Sequence, residues 1–402
     1  MILAGAYCSS GSVCKADRQM SLLSMKHYIK VIILSLFVLA ALVLAVLSHP
    51  AFGTFRHVSK ERIQASPNYR DGMFQNQEPT PQFTGKSPKT HPAPQKGRDK
   101  NAGRKPQTPI EAYKTDLKSL PTDSDWVVWF GHSSYLFCLG GKRILVDPLL
   151  KPEFPASVML RPFPGTDIYR PEDLPRIDVL IITHEHWDHM DYATLRELNA
   201  LSGSSVEGEK MKVFCPLGIA DYLRYWGYKE EQITEMDWGE EASLGFSVEE
   251  GRKDDGLRVT CLPSRHFSNR LLGKANQTLW ASFMVECAGK KVYIGGDGGY
   301  DKRFKAIREQ FGQVDLAFIE NGQYNERWRY IHTMPEDLPK VIEDLQPKQV
   351  FTVHHDKFAL AMHPWNEPDS VARAVSRELS AISIQPSAFR LLDAPIGKVV
   401  PF

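Results

Sequence analysis

Cysteine is scarce in this sequence, and its spacing excludes one common kind of metal site. Six cysteines occur in 402 residues, and no two of them form a CxxC pair. Because cysteine-based zinc sites use such pairs, we expect none here. Cys138, Cys261 and Cys287 fall in strand-like apolar runs, which favours small buried hydrophobic side chains. Disulfide pairing stays an alternative if the compartment is oxidising.

The sequence also lacks an excess of charge, an internal repeat and a serine-nucleophile motif. Its 49 Lys and Arg residues balance 48 Asp and Glu residues, for a net charge of +1. Without a global electrostatic field, the chain is not expected to bind nucleic acid. The stretch "GHSSY" at 131–135 lacks the G-x-S-x-G pattern that surrounds a nucleophilic serine. Serine-hydrolase chemistry is therefore disfavoured.

One long apolar run is present, "VIILSLFVLAALVLAVLS" at residues 31–48. At about 1.5 Å per residue it just spans a bilayer core of roughly 30 Å. Four basic residues and one acid precede it: Lys15, Arg18, Lys26, Lys30 and Asp17. The positive-inside rule then places residues 1–30 in the cytoplasm and the rest outside. We favour a retained single-pass anchor over a signal segment cleaved before His49, which would give a secreted or periplasmic protein. Met20 and Met25 are alternative start residues.

Residues 49–112 predict a disordered linker between this run and the rest of the chain. From about 80 to 109, proline, glutamine and basic residues dominate, and no apolar periodicity is visible. We favour a solvated linker over contact with anionic lipid headgroups.

Residues 113–402 predict one domain of mixed strands and helices. Apolar, β-rich runs include "WVVWF" (126–130) and "IDVLIIT" (177–183), the second nearly continuous, as in a strand buried on both faces. Helical patterns occur at "IADYLRYWGY", "KRFKAIREQF", "MPEDLPKVIEDL" and "NEPDSVARAVSREL". Many strands with helices between them predict an α/β (α+β) fold of sheets covered by helices.

The stretch "THEHWDHMD" at 183–191 contains the candidate metal ligands and follows the buried run 177–183. Ligand sites in α/β folds lie at the carboxyl ends of strands. His184, His186, Asp188 and His189 supply imidazole and carboxylate donors that suit zinc. Four donors in six residues exceed the three that one catalytic zinc takes, so a second metal is expected. A salt-bridged polar loop is the disfavoured alternative; Glu185 has no assigned role, and Asp191 is a supporting residue or a helix cap.

Further donors follow other apolar runs. His266 comes after "LRVTCL", Asp297 lies between glycine pairs in "YIGGDGGY", and His354 and His355 follow "QVFTV". A carboxylate has two oxygens and can bridge two metals. Together with residues 184–189, these donors predict a dinuclear centre.

This pattern resembles the metallo-β-lactamase superfamily. The resemblance implies an αββα sandwich, with two mixed β-sheets flanked by helices, and two zinc ions, with other divalent metals as alternatives. It assigns His184, His186 and His266 to one zinc, Asp188, His189 and His354 to the other, and Asp297 to both. His355 competes with His354 for the last position; we prefer His354, because "HHDKFAL" aligns with a family segment H-W-G-T-F-A-L.

Within the superfamily, residues 120–365 look most like the branch of N-acyl-phosphatidylethanolamine-hydrolysing phospholipase D and its bacterial relatives. Motifs such as "WFGHSSYLF", "LVDPLL" and "QYNERWRYIHTMPED" carry this resemblance. It implies that Asp147 orients metal-binding histidines, that His132 lines the site, and that His332 lies near the substrate phosphate. Two departures are visible: Gly298 replaces an expected threonine, and "HHDKF" replaces "HWGTF".

The expected function is therefore that of a zinc-dependent phosphodiesterase of phospholipase D type. A metal-bridged hydroxide would attack an N-acyl-phosphatidylethanolamine-like lipid or a small phosphodiester, with Asp188 and Asp297 holding the metals and Asp297 or His332 managing protons. The alternatives are a lactonase or other small-molecule hydrolase on the same core, and a non-catalytic metal-binding scaffold. The oligomeric state is not indicated.

Overall fold

The chain folds as two units, which divide it into Met1–Phe52 and Gly53–Phe402. A computed structural model describes residues 10–53, 60–84, 103–202, 210–245, 256–270, 274–382 and 389–402. The first unit contains helix α1, Ser10–Leu47. Within α1, the 23-residue span Met25–Leu47 contains an 18-residue window with a mean hydropathy of 2.9, sufficient in length and composition to cross a bilayer. A membrane anchor and a signal sequence share these properties.

The second unit contains two seven-stranded mixed sheets. The first sheet has the order β16-β3-β4-β5-β6-β7-β8. Its strands are β3 (Trp126–Trp129), β4 (Tyr135–Leu139), β5 (Lys142–Val146), β6 (Val179–Ile181), β7 (Lys212–Pro216), β8 (Ile233–Met236) and β16 (Val399–Pro401). Pairing is antiparallel from β16 to β5 and parallel from β5 to β8. Strands β3 and β5–β8 therefore run in the same direction.

The second sheet repeats this plan with the order β15-β14-β13-β12-β11-β10-β9. Its strands are β9 (Glu241–Leu244), β10 (Leu257–Pro263), β11 (Ala281–Cys287), β12 (Lys290–Ile294), β13 (Leu316–Glu320), β14 (Gln349–Val353) and β15 (Arg390–Leu391). Pairing is antiparallel from β9 to β12 and parallel from β12 to β15. Strands β10 and β12–β15 therefore share one direction.

The sheets pack face to face, and helices cover their outer faces. The inner core joins apolar side chains of both sheets, for example Tyr135 stacked on Phe318 with ring centroids 4.0 Å apart. The helices are α3 (Tyr192–Ser202) and α4 (Ile219–Tyr225) against the first sheet, and α5 (Arg303–Phe311), α6 (Leu338–Leu345) and α7 (Glu367–Ile382) against the second. The predicted sandwich of two mixed sheets flanked by helices is confirmed. Cys138, Cys215, Cys261 and Cys287 are buried free thiols.

The expectation of a disordered linker over 49–112 is wrong for residues 60–84. Helix α2 (Lys60–Ala65) and a hairpin of β1 (Tyr69–Arg70) and β2 (Met73–Phe74) form there. Ile63 and Phe74 are buried in a cluster with Leu217, Leu279 and Trp280. The segment has few apolar residues of its own, so its order comes from this distant surface. Residues 85–102 lie outside the described part of the chain.

Phe74 provides a test of this docking. Replacing it by alanine is expected to lower the free energy of unfolding by about 3–5 kcal/mol, because the side chain is fully buried. Urea denaturation of the detergent-solubilised chain measures this change. Phe83→Ala is the matched control, since Phe83 lies in the same segment but is 61% exposed, and it should change the free energy by less than about 0.5 kcal/mol. Equal effects of the two substitutions would contradict the docking.

Candidate metal centre

The predicted donors all lie at one edge of the sandwich. In the first sheet, His132 follows β3, Asp147 follows β5, and the stretch 183–191 follows β6. In the second sheet, His266, Asp297 and His354 follow β10, β12 and β14. These strands run in the same direction within each sheet, so their carboxyl ends lie at one edge. The donors that follow them, from His184 to His354, are brought together there.

Three imidazoles form the first group. His184 Nε2 lies 2.9 Å from His186 Nδ1, and His266 Nε2 lies 3.1 Å from the same nitrogen. Three ring nitrogens thus converge on one point, as they would around a single cation. The far side of two rings is fixed by hydrogen bonds, between His184 Nδ1 and Thr183 Oγ1 at 2.9 Å and between His266 Nδ1 and the Ile331 carbonyl at 2.7 Å. Such contacts orient metal-binding histidines.

Asp297 joins this group to a second one. Its Oδ2 lies 3.9 Å from His184 Nε2 and 3.8 Å from His266 Nε2. Its Oδ1 lies 3.2 Å from His189 Nε2 and 3.1 Å from His354 Nδ1. The two oxygens of one buried carboxylate therefore face different sets of histidines. Asp188 completes the second set, with its Oδ2 3.7 Å from His189 Nε2.

Asp147 and His132 support the second group from behind. Asp147 Oδ2 accepts from His189 Nδ1 at 2.8 Å, and the same carboxylate accepts from the amide and hydroxyl of Thr183 at 2.8 and 2.6 Å. His132 Nε2 lies 2.8 Å from Asp188 Oδ2. These contacts hold both ends of the HxHxDH loop against the ends of β3 and β5.

His354, and not His355, lies in the cluster. The His355 ring packs instead on Trp129, with centroids 4.8 Å apart. Asp191, the other residue with an open role, accepts from the backbone amide of Thr194 at 3.0 Å. It therefore acts as a cap at the start of α3.

His332 lies beside the centre, in contact with a residue that the sequence analysis missed. Its ring centroid is 5.3 Å from that of His266 and 5.6 Å from that of His354. Its Nδ1 bonds to the buried carboxylate of Glu320, whose other oxygen accepts from the Gly298 amide at 2.7 Å. Glu320 is the last residue of apolar strand β13, and its position at a strand end was the available signal.

Asn76 and Arg270 were also missed. Asn76 Nδ2 donates to the His266 carbonyl at 2.7 Å, and its Oδ1 accepts from the His266 amide at 3.1 Å. Arg270 Nη1 donates to the Glu185 carbonyl at 2.7 Å, and its guanidinium lies 4.0 Å from the centroid of the Trp187 ring. Both residues fix donor-bearing loops from positions remote in sequence, and no local pattern indicates this.

The electrostatics favour neutral His184 and His354 imidazoles and a protonated His189 beside ionised carboxylates. Burial, together with neighbouring imidazoles, holds the pKa of His184 and of His354 well below the usual value. Burial raises the pKa of Asp297, but His189 and other histidines outweigh it and lower that pKa to about 2. Burial likewise lowers the pKa of His189, but Asp297 and Asp188 reverse this and raise it well above the usual value. The buried carboxylates are therefore stabilised by positive charge located between Asp188 and Asp297.

The residues present fit a metal centre. His189 Nε2 and Asp297 Oδ1 are buried and have no hydrogen-bond partner among the residues that the structure describes. Buried polar atoms that make no hydrogen bond are costly, and these two lie 3.2 Å apart, with His354 Nδ1 3.1 Å from the same Asp297 oxygen. Neutral imidazole nitrogens and ionised carboxylates are the donors that divalent zinc-like cations take. The arrangement can therefore hold cations that activate water for hydrolysis.

Known proteins show the same family and fold. The model of the beta-lactamase superfamily domain matches residues 142–355. An uncharacterized protein of Mycobacterium tuberculosis is 32% identical over 312 residues, which cover 76% of this chain and 78% of the relative. N-acyl-phosphatidylethanolamine-hydrolyzing phospholipase D 1 of Caenorhabditis elegans is 29% identical over 240 residues, 57% of this chain and 63% of the relative.

A solved structure supports the fold independently. The crystal structure of a possible metal-dependent hydrolase from Veillonella parvula superposes with a TM-score of 0.52 at 12% identity, covering 69% of this chain and 99% of that one. At this identity the likeness concerns the fold. The family match and the Mycobacterium tuberculosis relative show that the chain belongs to the metallo-β-lactamase superfamily, as a metallo-hydrolase related to N-acyl-phosphatidylethanolamine-hydrolysing phospholipase D.

Proposed function

We propose that this protein is a dinuclear zinc phosphodiesterase of phospholipase D type that cleaves N-acyl-phosphatidylethanolamine-like lipids. The observation that carries the proposal is the position of Asp297 between two sets of histidines. Its activity on a phosphodiester is supported by the similarity to the Caenorhabditis elegans phospholipase. Residues 1–30, 31–48 and 113–402 would be a cytoplasmic segment, a membrane anchor and an extracytoplasmic catalytic domain; cleavage of the apolar segment would instead release that domain.

The proposed ligand sets follow the two groups. One cation would be held by His184, His186 and His266, and the other by Asp188, His189 and His354, with Asp297 shared. Imidazole and carboxylate suit zinc, although manganese and iron accept the same donors. Asp147 and His132 would orient His189 and Asp188, since each contacts one of them at 2.8 Å.

Divalent cations held by these residues would lower the pKa of a bound water from 15.7 toward about 7 and would stabilise negative charge on a phosphodiester. The chain supplies proton handling and orientation. Asp297, facing both sets, is placed to accept a proton from the attacking water. His332, whose ring is held by Glu320, is placed to bind a phosphoryl oxygen or to donate a proton to the leaving alkoxide.

An exposed apolar loop near the centre supports a lipid substrate. Phe154, Val158 and Met159 are 47%, 60% and 61% exposed. The same loop packs through Leu160 onto Phe358, whose ring lies 5.3 Å from that of His132. Exposed apolar side chains that cluster beside a site suit apolar ligands or membranes. An acyl chain is therefore favoured over a small polar substrate.

A substrate panel tests the proposal. The zinc-loaded full chain in detergent should hydrolyse N-acyl-phosphatidylethanolamine and bis-p-nitrophenyl phosphate, but not a set of lactones. Chelation should abolish this activity, and zinc should restore it. His184→Ala is expected to lose zinc and activity together, whereas His363→Ala, outside the cluster, should retain both. Activity on lactones alone would overturn the phosphodiesterase assignment, and full zinc content in His184→Ala would overturn the ligand assignment.

Substitution of His332 tests proton transfer separately from metal binding. His332→Gln keeps a polar side chain but cannot carry the proton, so kcat on the phosphodiester should fall by about 10²–10⁴-fold. Zinc content, measured by inductively coupled plasma mass spectrometry, should stay at the wild-type value. Glu320→Gln, which leaves the imidazole but removes the charge beside it, should give a smaller loss. An unchanged kcat in His332→Gln would exclude His332 from the reaction.

A further inference from the structure

Behind the candidate metal centre lies a second group of donors, which we name the rear cluster: His355, Asp356 and Asp369. His355 and Asp356 follow β14 directly after His354, and Asp369 lies in the first turn of α7. One ligand atom from each of the three lies within 4.8 Å of the others. The group shares no residue with the candidate metal centre.

The rear cluster contains buried donor atoms that form no hydrogen bond with the described residues. His355 is 3% exposed, and its Nδ1 has no hydrogen-bond partner in the described part of the chain; the same holds for Asp356 Oδ1. These two atoms lie 3.3 Å apart. The other ring nitrogen of His355, Nε2, is 3.3 Å from the Thr352 hydroxyl. His355 is thus fixed at Nε2, and its Nδ1 and the Asp356 carboxylate face each other as two donors to one cation would.

The surroundings of the rear cluster are acidic. His355, Asp356 and Asp369 line a cavity of about 190 Å³, which Glu111, Asp393 and Arg373 also border. Arg373 pairs with Asp393 at 2.6 Å. Among the described residues, no lysine or arginine forms an ion pair with Asp356 or Asp369. Burial raises the pKa of Asp369, and Asp356 and Asp393 add to this, whereas His355 and, more weakly, Arg373 oppose it; the net shift is upward.

We propose that the rear cluster binds one divalent cation of the Mn²⁺ or Zn²⁺ type, at a site separate from the candidate metal centre. One imidazole and two carboxylates are suitable donors for such ions, and the adjoining cavity provides room for water ligands. The cation ties the start of α7 to the loop that carries His354. That loop is already linked to β3, because the His132 amide donates to the His355 carbonyl at 2.8 Å and the His354 amide donates to the His132 carbonyl at 2.9 Å. This proposal does not depend on the proposed activity.

Metal counting tests this site. The full chain in detergent is stripped with a chelator, dialysed to equilibrium against Mn²⁺ or Zn²⁺, and assayed for metal per chain. Asp369→Asn should bind one equivalent less than wild type. Asp393→Asn is the matched control: it makes the same change in the same cavity, but at a carboxylate already paired with Arg373. It should bind as much metal as wild type.

A second measurement keeps the test independent of misfolding. Added Mn²⁺ or Zn²⁺ should raise the unfolding temperature of wild type and of Asp393→Asn more than that of Asp369→Asn. Asp356→Asn, which removes a different donor, should behave like Asp369→Asn. Equal metal content in wild type, Asp369→Asn and Asp356→Asn with both ions would overturn the site and leave a buried ion pair of His355 and Asp356 in its place. A loss of the same equivalent in Asp393→Asn would also overturn it, because the effect would then follow cavity charge rather than the three donors.

Discussion

The structure depends on the need to compensate negative charge that is buried at one edge of the sandwich. Asp147, Asp188 and Asp297 all lie beside the His189 ring, and Asp147 and Asp297 are at most 4% exposed. Unpaired buried carboxylates cost several kcal/mol each, so the edge is stable only with positive charge among them. The histidines supply part of this charge through protons. Divalent cations would supply it more completely, because each can serve several carboxylate oxygens at once.

The fold accepts local strain to bring these groups together. His132, Asp147 and His354, all at strand ends, have positive φ values of 56°, 40° and 75°. Such conformations cost about 1–3 kcal/mol each in residues other than glycine. Two seven-stranded sheets with an apolar interior hold these ends in place. Because donors come from both sheets, the centre also joins the two halves of the sandwich.

The sequence predicts the site best where candidate metal ligands directly follow a strand. His184, His186, Asp188 and His189 are contiguous, and a buried strand precedes them, so both the cluster and its position could be predicted. Helix α3 is not among the predicted helices, although Asp191, which caps it, was considered as a possible helix cap. Glu320, Asn76 and Arg270 were missed because their roles depend on partners that only the fold brings near. Asn76 bonds to a residue 190 positions away, within a segment whose composition predicts a linker.

The two departures from the family pattern fall in the scaffold rather than on the surface that would meet the substrate. Lys357, in "HHDKF", is buried, and its Nζ donates to the carbonyls of Phe130 and Leu149 at 3.1 and 2.9 Å. A Cβ at Gly298 would lie 2.3 Å from Ser264 Oγ, so the local packing here requires a residue without a side chain. Both changes are therefore accommodated by neighbouring residues of this chain. They alter how the loops are supported and give no physical reason to reject a phosphodiester, whose recognition would depend on His332 and the exposed loop around Val158.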